Sequence, residues 1–363
     1  MKSLLAKLRS SARHGSLPWI GLNAVVLLGI LLAGCHKAGS GGNSSAANAD
    51  QRVFRFGHQH SGDTFLRARG ILEKRLAERG YRVAYVEFAA GPQLLEALSV
   101  GSIDIGSTGE SPPIFAQAAG SPLVYLANYP STSTNGEGLA LLVPKGSPIH
   151  SIQDLRGKRI AFQKASSAHN FLLQIVERAG LTYKDIHPVY LAPPDARAAF
   201  DSGSVDAWAI WDPFLTIAQR KTGGTILVNS QGIRSAGGFY LTSRSFVKEH
   251  SDILKITLQE LLDSGIWAYD HPDEASQLRS KATGIDAVTW RVILDHTERA
   301  SIRPITPEIL QDQQFTADNY YKIGLLPKPV DVWEWVLSAE QYAEIVPRET
   351  GKQAAVQPAD AKH

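Results

Sequence analysis

The sequence predicts an α/β protein of two lobes with a ligand cleft between them. Three features carry this reading. Apolar runs of strand length alternate with runs of helical spacing through residues 53–229, the alternation restarts as a fresh block at Ser151, and beyond Phe239-Tyr240-Leu241 the chain reads as mostly helical to about residue 342. Strands alternating with helices imply parallel sheets covered by helices on both faces. The two blocks and the helical return place residues 52–142 and 238–346 in the first lobe and 143–237 in the second, with hinges near 143 and 237. Ligands of open α/β sheets sit beyond the carboxyl ends of the strands. Lobes that face each other therefore bury a ligand between them.

In the first block, "VFRFG" at 53–57 reads as a strand. Residues 63–79 carry Phe65, Leu66, Ile71, Leu72 and Leu76 at helical spacing, with Gly80 as the stop. "RVAYVEF" alternates as a half-buried strand does, and "PQLLEALSVG" opens on proline and closes on glycine as a helix does. "SIDIG" at 102–106 reads as a strand, "SPPIFAQAAG" as a short helix, and "LVYLANY" and "LALLVPK" as further strands. The second block starts with a helical turn, "SIQDLRG". It then alternates strands ("RIAFQ", "PVYL", "VDAWAI", "TILVN") with helices ("HNFLLQIVERAG", "PDARAAFDSG", "PFLTIAQRKTG").

The front of the chain follows other rules. Lys2, Lys7, Arg9 and Arg13 precede an apolar run at 17–33, "LPWIGLNAVVLLGILLA", which is the order of a secretory signal. The run ends in "LLAGC" at Cys35, the only cysteine, as in the lipobox of bacterial lipoproteins. Residues 1–34 are thus expected to be removed, Cys35 to be lipidated, and the Gly/Ser-rich stretch 35–51 to act as a flexible tether. Residues 347–363 read as a polar tail. Without another cysteine the globular part has no disulfide and no thiolate metal site. A net charge of +2 leaves no nucleic-acid footprint.

Two strand-to-helix junctions carry the candidate chemistry: "GSTGESPP" at 106–113 and "KASSAHN" at 164–170. Free backbone N–H groups at a helix start bind anions. Ser107, Thr108, Ser166 and Ser167 add hydroxyl donors, and His169 and Asn170 add more. Each hydroxyl taken alone also reads as a plain N-cap. A serine-hydrolase reading finds Ser166 and His169 three apart, but there is no G-x-S-x-G elbow and no carboxylate close in sequence to His169. "HQH" at 58–60 is a lone histidine pair without the spacing of a metal site. In "AIWDPF", Trp211 and Phe214 lie at a strand's carboxyl end and read either as core or as walls for an apolar ligand tail. Asp212 reads as the N-cap of the helix that follows.

The stretches "EFAAGPQLLEALSVGSIDIGSTGESPPIFAQAAG", "AFQKASSAHN", "DARAAF" and "VDAWAIWDPF" resemble, in order and over residues 54–335, the aliphatic sulfonate-binding proteins of bacterial ABC importers. The resemblance implies a two-lobed periplasmic-binding-protein fold with the ligand in the inter-lobe cleft, no catalysis and no cofactor. It implies capture of alkanesulfonates for uptake as a sulfur source by a monomeric lipoprotein, which hands cargo to a membrane permease with an ATPase partner. It also implies a sulfonate held by Gln59, Ser107, Thr108, Gly109, Ser166, Ser167, His169 and Asn170, with Trp211 and Phe214 along the tail. The family's common "KGSSSHN" is "KASSAHN" here, so Ala165 replaces a glycine and Ala168 a hydroxyl, and the acidic residue after "STG" is Glu110 rather than aspartate. A sulfonate is a monoanion with acceptor oxygens only, so neutral donors and helix starts satisfy it without an arginine. The alternatives are a binding protein for taurine, nitrate or aromatic sulfonates, a sensor or chaperone module on the same fold, and a pyrimidine-synthesis enzyme of that fold, which the export signal argues against.

Overall fold

The computed structural model describes residues 52–59, 63–130, 135–297 and 302–347. The expected signal segment, Cys35, the tether and residues 348–363 of the expected tail lie outside the described residues. The strands are β1 (Arg52–Gln59), β2 (Tyr81–Phe88), β3 (Ile105–Gly109), β4 (Leu123–Tyr129), β5 (Leu139–Val143), β6 (Arg159–Phe162), β7 (His187–Tyr190), β8 (Ala207–Trp211), β9 (Thr225–Asn229) and β10 (Gly238–Ser243). The helices of the two blocks are α1 (Thr64–Arg69), α2 (Ile71–Ala77), α3 (Gly91–Ser99), α4 (Ser111–Ala118), α5 (Ser167–Arg178), α6 (Pro193–Asp201) and α7 (Phe214–Thr222). The return consists of α8 (Arg244–Glu249), α9 (Ser251–Asp270), α10 (Pro272–Thr283), α11 (Ala287–Asp295), α12 (Pro307–Lys322) and α13 (Ala339–Ile345). The single helix expected over 63–79 is split into α1 and α2 by Gly70, whose φ of 61° only glycine adopts at little cost. Among the described residues no helix is long and apolar enough to cross a membrane.

The strands form two five-stranded sheets, ordered β2-β1-β3-β10-β4 and β7-β6-β8-β5-β9. Within each sheet the βα units run parallel, as the alternation predicts. Each sheet also holds one antiparallel strand at its fourth position, β10 against β3 and β4, and β5 against β8 and β9. The sheets are therefore mixed rather than all parallel. Strands of the βα units run toward the cleft. A strand that has just crossed from the other lobe starts at the cleft and must run away from it.

That geometry also moves a boundary. The strand at 139–143 belongs to the second sheet, so the first crossing falls between Tyr129 and Leu139 rather than at 142/143. An apolar five-residue run is buried equally well in either sheet, and its composition does not choose between them. The strand expected at 102–106 is displaced to Ile105–Gly109. Ser107, Thr108 and Gly109 are weak strand formers, but β10 pairs with them, placing Tyr240, Phe239 and Gly238 opposite in that order. Cross-strand pairing overrides local preference here.

Both sheets are covered on both faces. In the first, Leu72, Leu76, Leu254, Leu258 and Ile345 pack on one face, and Leu94, Leu98, Ile114, Leu310 and Tyr320 on the other. The C-terminal helices thus supply much of the first lobe's core. In the second sheet, Phe171, Leu172 and Ile175 cover one face and Ala196, Phe200, Leu215 and Ala218 the other.

Candidate functional site

The ends of β1, β3, β4 and β8 meet the starts of α3 and α5 around a cavity of about 240 Å³. Gln59, Gly91, Thr108, Gly109, Ser166 and Ser167 line one part of it. Pro112, Tyr129, Pro130, Leu139, Trp211 and Ile293 supply apolar surface, and Glu137, Asp212 and His296 complete a polar part. No lysine or arginine lines it among the described residues.

The donors converge for local reasons. Ser166 precedes α5 but does not cap it, because its hydroxyl turns back to donate to the Gln163 carbonyl at 2.7 Å. The amides of His169 and Asn170 both reach the Ser166 carbonyl. Those of Ser167 and Ala168 have no hydrogen-bond partner among the described residues, and the positive end of the helix dipole lies with them. Thr108 is 1% exposed, and its Oγ1 has no partner either. A buried hydroxyl left without a partner costs about 1–3 kcal/mol, which an acceptor in the cavity would recover. Two glycines make the approach possible. A Cβ on Gly91 would overlap Thr108 Oγ1, and one on Gly109 would overlap Ser167 Oγ. Gln59 donates to the Ser107 carbonyl at 3.3 Å and so ties the end of β1 to β3.

Glu110 connects this arrangement across the lobes. Its carboxylate accepts from Ser167 Oγ at 2.7 Å and from Asn170 Nδ2 at 3.1 Å, both on α5, while its own carbonyl accepts from Gln313 on α12 at 2.7 Å. Burial pushes the Glu110 carboxyl above its usual range, against the pull of the Ser167, Asn170 and Ser235 hydrogen bonds. Gln174 of α5 also holds the segment that leads to β10, donating to the Arg234 carbonyl and accepting from the Arg234 amide.

Of the residues expected at the site, Gln59, Thr108, Gly109, Ser166, Ser167 and Trp211 line the cavity. Ser107, His169, Asn170 and Phe214 do not. Ser107 turns its hydroxyl to Asp63 at 3.3 Å, which also accepts from Tyr240 at 2.8 Å. Asn170 is spent on Glu110, and its oxygen accepts from Gln174. Phe214 packs beside Trp208 against the α6/α7 face of the second sheet. His169 is fully buried, with Nδ1 accepting from the Ala165 amide at 3.3 Å and Nε2 meeting Tyr183 Oη at 3.2 Å. It is a support for the turn. Ala165 stands at φ 61°, a left-handed conformation that costs a residue with a Cβ about 1–2 kcal/mol, and the histidine nitrogen holds its amide there. Of the lone histidine pair, His58 is buried in β1 with Nδ1 3.0 Å from the Gln59 carbonyl, and His60 lies outside the described residues.

A family profile described as NMT1/THI5 like matches residues 76–275. A chain of Escherichia coli (strain K12) named for binding aliphatic sulfonates is 40% identical over 289 residues, covering 79% of this chain and 89% of the relative. The chain belongs to the NMT1/THI5-like family, among its aliphatic sulfonate-binding proteins. A namesake from Bacillus subtilis (strain 168) is 33% identical over 86% of this chain and 92% of its own. The alkanesulfonate-binding protein SsuA from Xanthomonas axonopodis pv. citri, in a structure bound to MOPS, superposes with a TM-score of 0.75 at 38% identity, over 80% of this chain and 99% of that one. These aliphatic sulfonate-binding relatives share the two-lobed periplasmic-binding-protein architecture found here.

Sequence reasoning missed Gly91, Tyr129, Glu137, Gly138, Asp212 as a cavity residue, Ile293 and His296. Gly91 carried a signal, since it opens a helix directly after a strand. Ile293 and His296 carried none, because the return helix α11 reaches the cleft only through tertiary packing.

The burial of His169 lowers its pKa from 6.5 to about 3, with Lys164 nearby adding to the effect. The folded protein therefore keeps this ring neutral while the unfolded chain takes up a proton. Its contribution to stability is complete above pH 6.5 and is lost as pH falls toward 3. Melting temperatures of the wild type and His169→Gln should differ most near neutrality and converge in acid. A difference that stays constant from pH 7 to pH 4 would mean that the ring is not held neutral.

Proposed function

We propose that this chain is the extracytoplasmic binding component of an ABC importer and captures sulfonates in the cleft between its lobes. The observation that carries the reading is the gathering of Thr108, whose buried hydroxyl has no partner, and of the start of α5, where the Ser167 amide has none, at a cavity that no lysine or arginine lines among the described residues. Such a set suits an anion that is fully ionised, presents only acceptors and needs no counter-ion. Gln59, Thr108, Gly109, Ser166 and Ser167 form the sulfonate end, and Trp211, Pro112 and Leu139 the wall along the organic group. Ser107 and Asn170 position these donors rather than donate. The relatives named as binding proteins favour capture over catalysis.

Cargo release requires a membrane permease with an ATPase, and the chain acts as a monomer tethered through lipid on Cys35. If Cys35 carries the anchor, Cys35→Ala should move the protein from the membrane fraction to the soluble periplasmic fraction. Retention of the variant in the membrane would rule the anchor out.

The organic group sets affinity beyond the headgroup. Each buried methylene is worth about 0.8 kcal/mol, or roughly fourfold in Kd. Calorimetric titration with ethane-, butane- and hexanesulfonate should give rising affinity until the cavity is full. Trp211→Ala should flatten that series. Sulfate or nitrate binding as tightly as every sulfonate would contradict the reading.

A further inference from the structure

Opposite in character to the donor set is the cluster of Glu137, Asp212 and His296. Glu137 lies on the crossing segment before β5, Asp212 follows β8, and His296 follows α11, so three separate elements deliver them to one cavity. His296 Nε2 stands 3.4 Å from Glu137 Oε1. The Asp212 amide donates to the Gly138 carbonyl at 3.0 Å, which holds the two acidic residues together. One oxygen of Asp212, Oδ1, is committed to α7, accepting from the amide and hydroxyl of Thr216 at 2.9 and 2.7 Å. The other, Oδ2, accepts no hydrogen bond among the described residues. Asp212 itself lines the cavity.

An alkyl tail is a poor occupant of such a place. It would cover two carboxylates, strip their water and return no hydrogen bond. A plain alkanesulfonate would also bring a further negative charge to a cavity that Glu110 already backs through Ser167. The lining offers His296 as its only cation-forming side chain among the described residues. A ligand with a sulfonate at one end and an ammonium at the other removes both difficulties. Its anionic end satisfies the buried Thr108 hydroxyl and the α5 amides, and its cationic end meets Asp212 and Glu137. It carries no net charge into the cleft.

We propose that the preferred ligands are zwitterionic aminoalkanesulfonates, and that Asp212 and Glu137 read the ammonium group. The proposal rests on the sulfonate reading above and narrows its substrate class. His296 stands beside Glu137 at the cavity wall, and the ammonium adds to the contacts that Glu137 already makes.

Propane-1-sulfonate and 3-aminopropane-1-sulfonate have the same chain length, and the amine is protonated at neutral pH, with a pKa of about 10 as for lysine. Titrating the mature protein with each should show the amine-bearing ligand bound about ten- to hundredfold more tightly, the value of one hydrogen bond to a charged group. In Asp212→Asn, which keeps an oxygen for Thr216, and in Glu137→Gln, the ratio of the two affinities should fall toward one. Melting curves of both variants establish that they are folded. A wild type that binds propane-1-sulfonate as tightly as its amine analogue, or more tightly, overturns the proposal and leaves the sulfonate reading intact. So does a preference that survives in both variants. If neither compound binds, the sulfonate reading itself fails.

Discussion

The buried carboxyl of Glu110 is the contact on which the site depends. It leaves the end of β3 in the first lobe and takes hydrogen bonds from Ser167 and Asn170 at the start of α5 in the second. With the Ser167 hydroxyl turned to donate to Glu110 and the Ser166 hydroxyl to the Gln163 carbonyl, neither folds back to cap the helix. The first amides of α5 are thereby left for the cavity. One carboxylate thus does two things: it bridges the two lobes, and it helps to leave the start of a helix uncapped at the cavity. Its cost is the burial of an acid, seen in the upward shift of its pKa. The folded state holds a proton on Glu110 more readily than the unfolded chain, so this group's contribution to stability declines as pH rises above the usual glutamate range.

The rest of the architecture supports that junction. Strands of both sheets run toward the cleft, and the crossing strands β5 and β10 start there. Gly109, Gly138 and Gly238 all stand at these cleft ends. Glycine is required where backbone and side chains approach most closely. A side chain on Gly238 would overlap the Tyr129 ring, just as one on Gly109 would overlap Ser167. His169 and Tyr320 hold the other side of the junction: the first fixes the Ala165 turn, and the second donates to Ser111 at 2.8 Å beneath Ser166. Neutral donors and a helix dipole suffice for a sulfonate because it never needs to exchange a proton.

Much of this was legible in the sequence. Alternating periodicity gave the two α/β blocks and the helical return, and the clustering of hydroxyls marked two strand-to-helix junctions that line the cavity. What misled was the assumption that polar residues near a ligand point at it. His169, Asn170 and Ser107 sit one layer behind, and their side chains serve Ala165, Glu110 and Asp63. Spacing along a chain does not distinguish a residue that faces the cavity from one that holds its neighbour in place. The polar cluster of Glu137, Asp212 and His296 was hidden for another reason. Its members are 75 and 84 residues apart in sequence and meet only after folding. The placement of β5 was likewise a matter of tertiary pairing, which an apolar run cannot announce.

A crystal structure of the mature protein with a short alkanesulfonate tests the central claim most directly, through the position of the sulfur. The account predicts sulfonate oxygens within about 2.7–3.2 Å of the Ser167 and Ala168 amides and of Thr108 Oγ1, with Ser167 still donating to Glu110. An anion seated instead against His296, with the start of α5 and the Thr108 hydroxyl untouched, would contradict it.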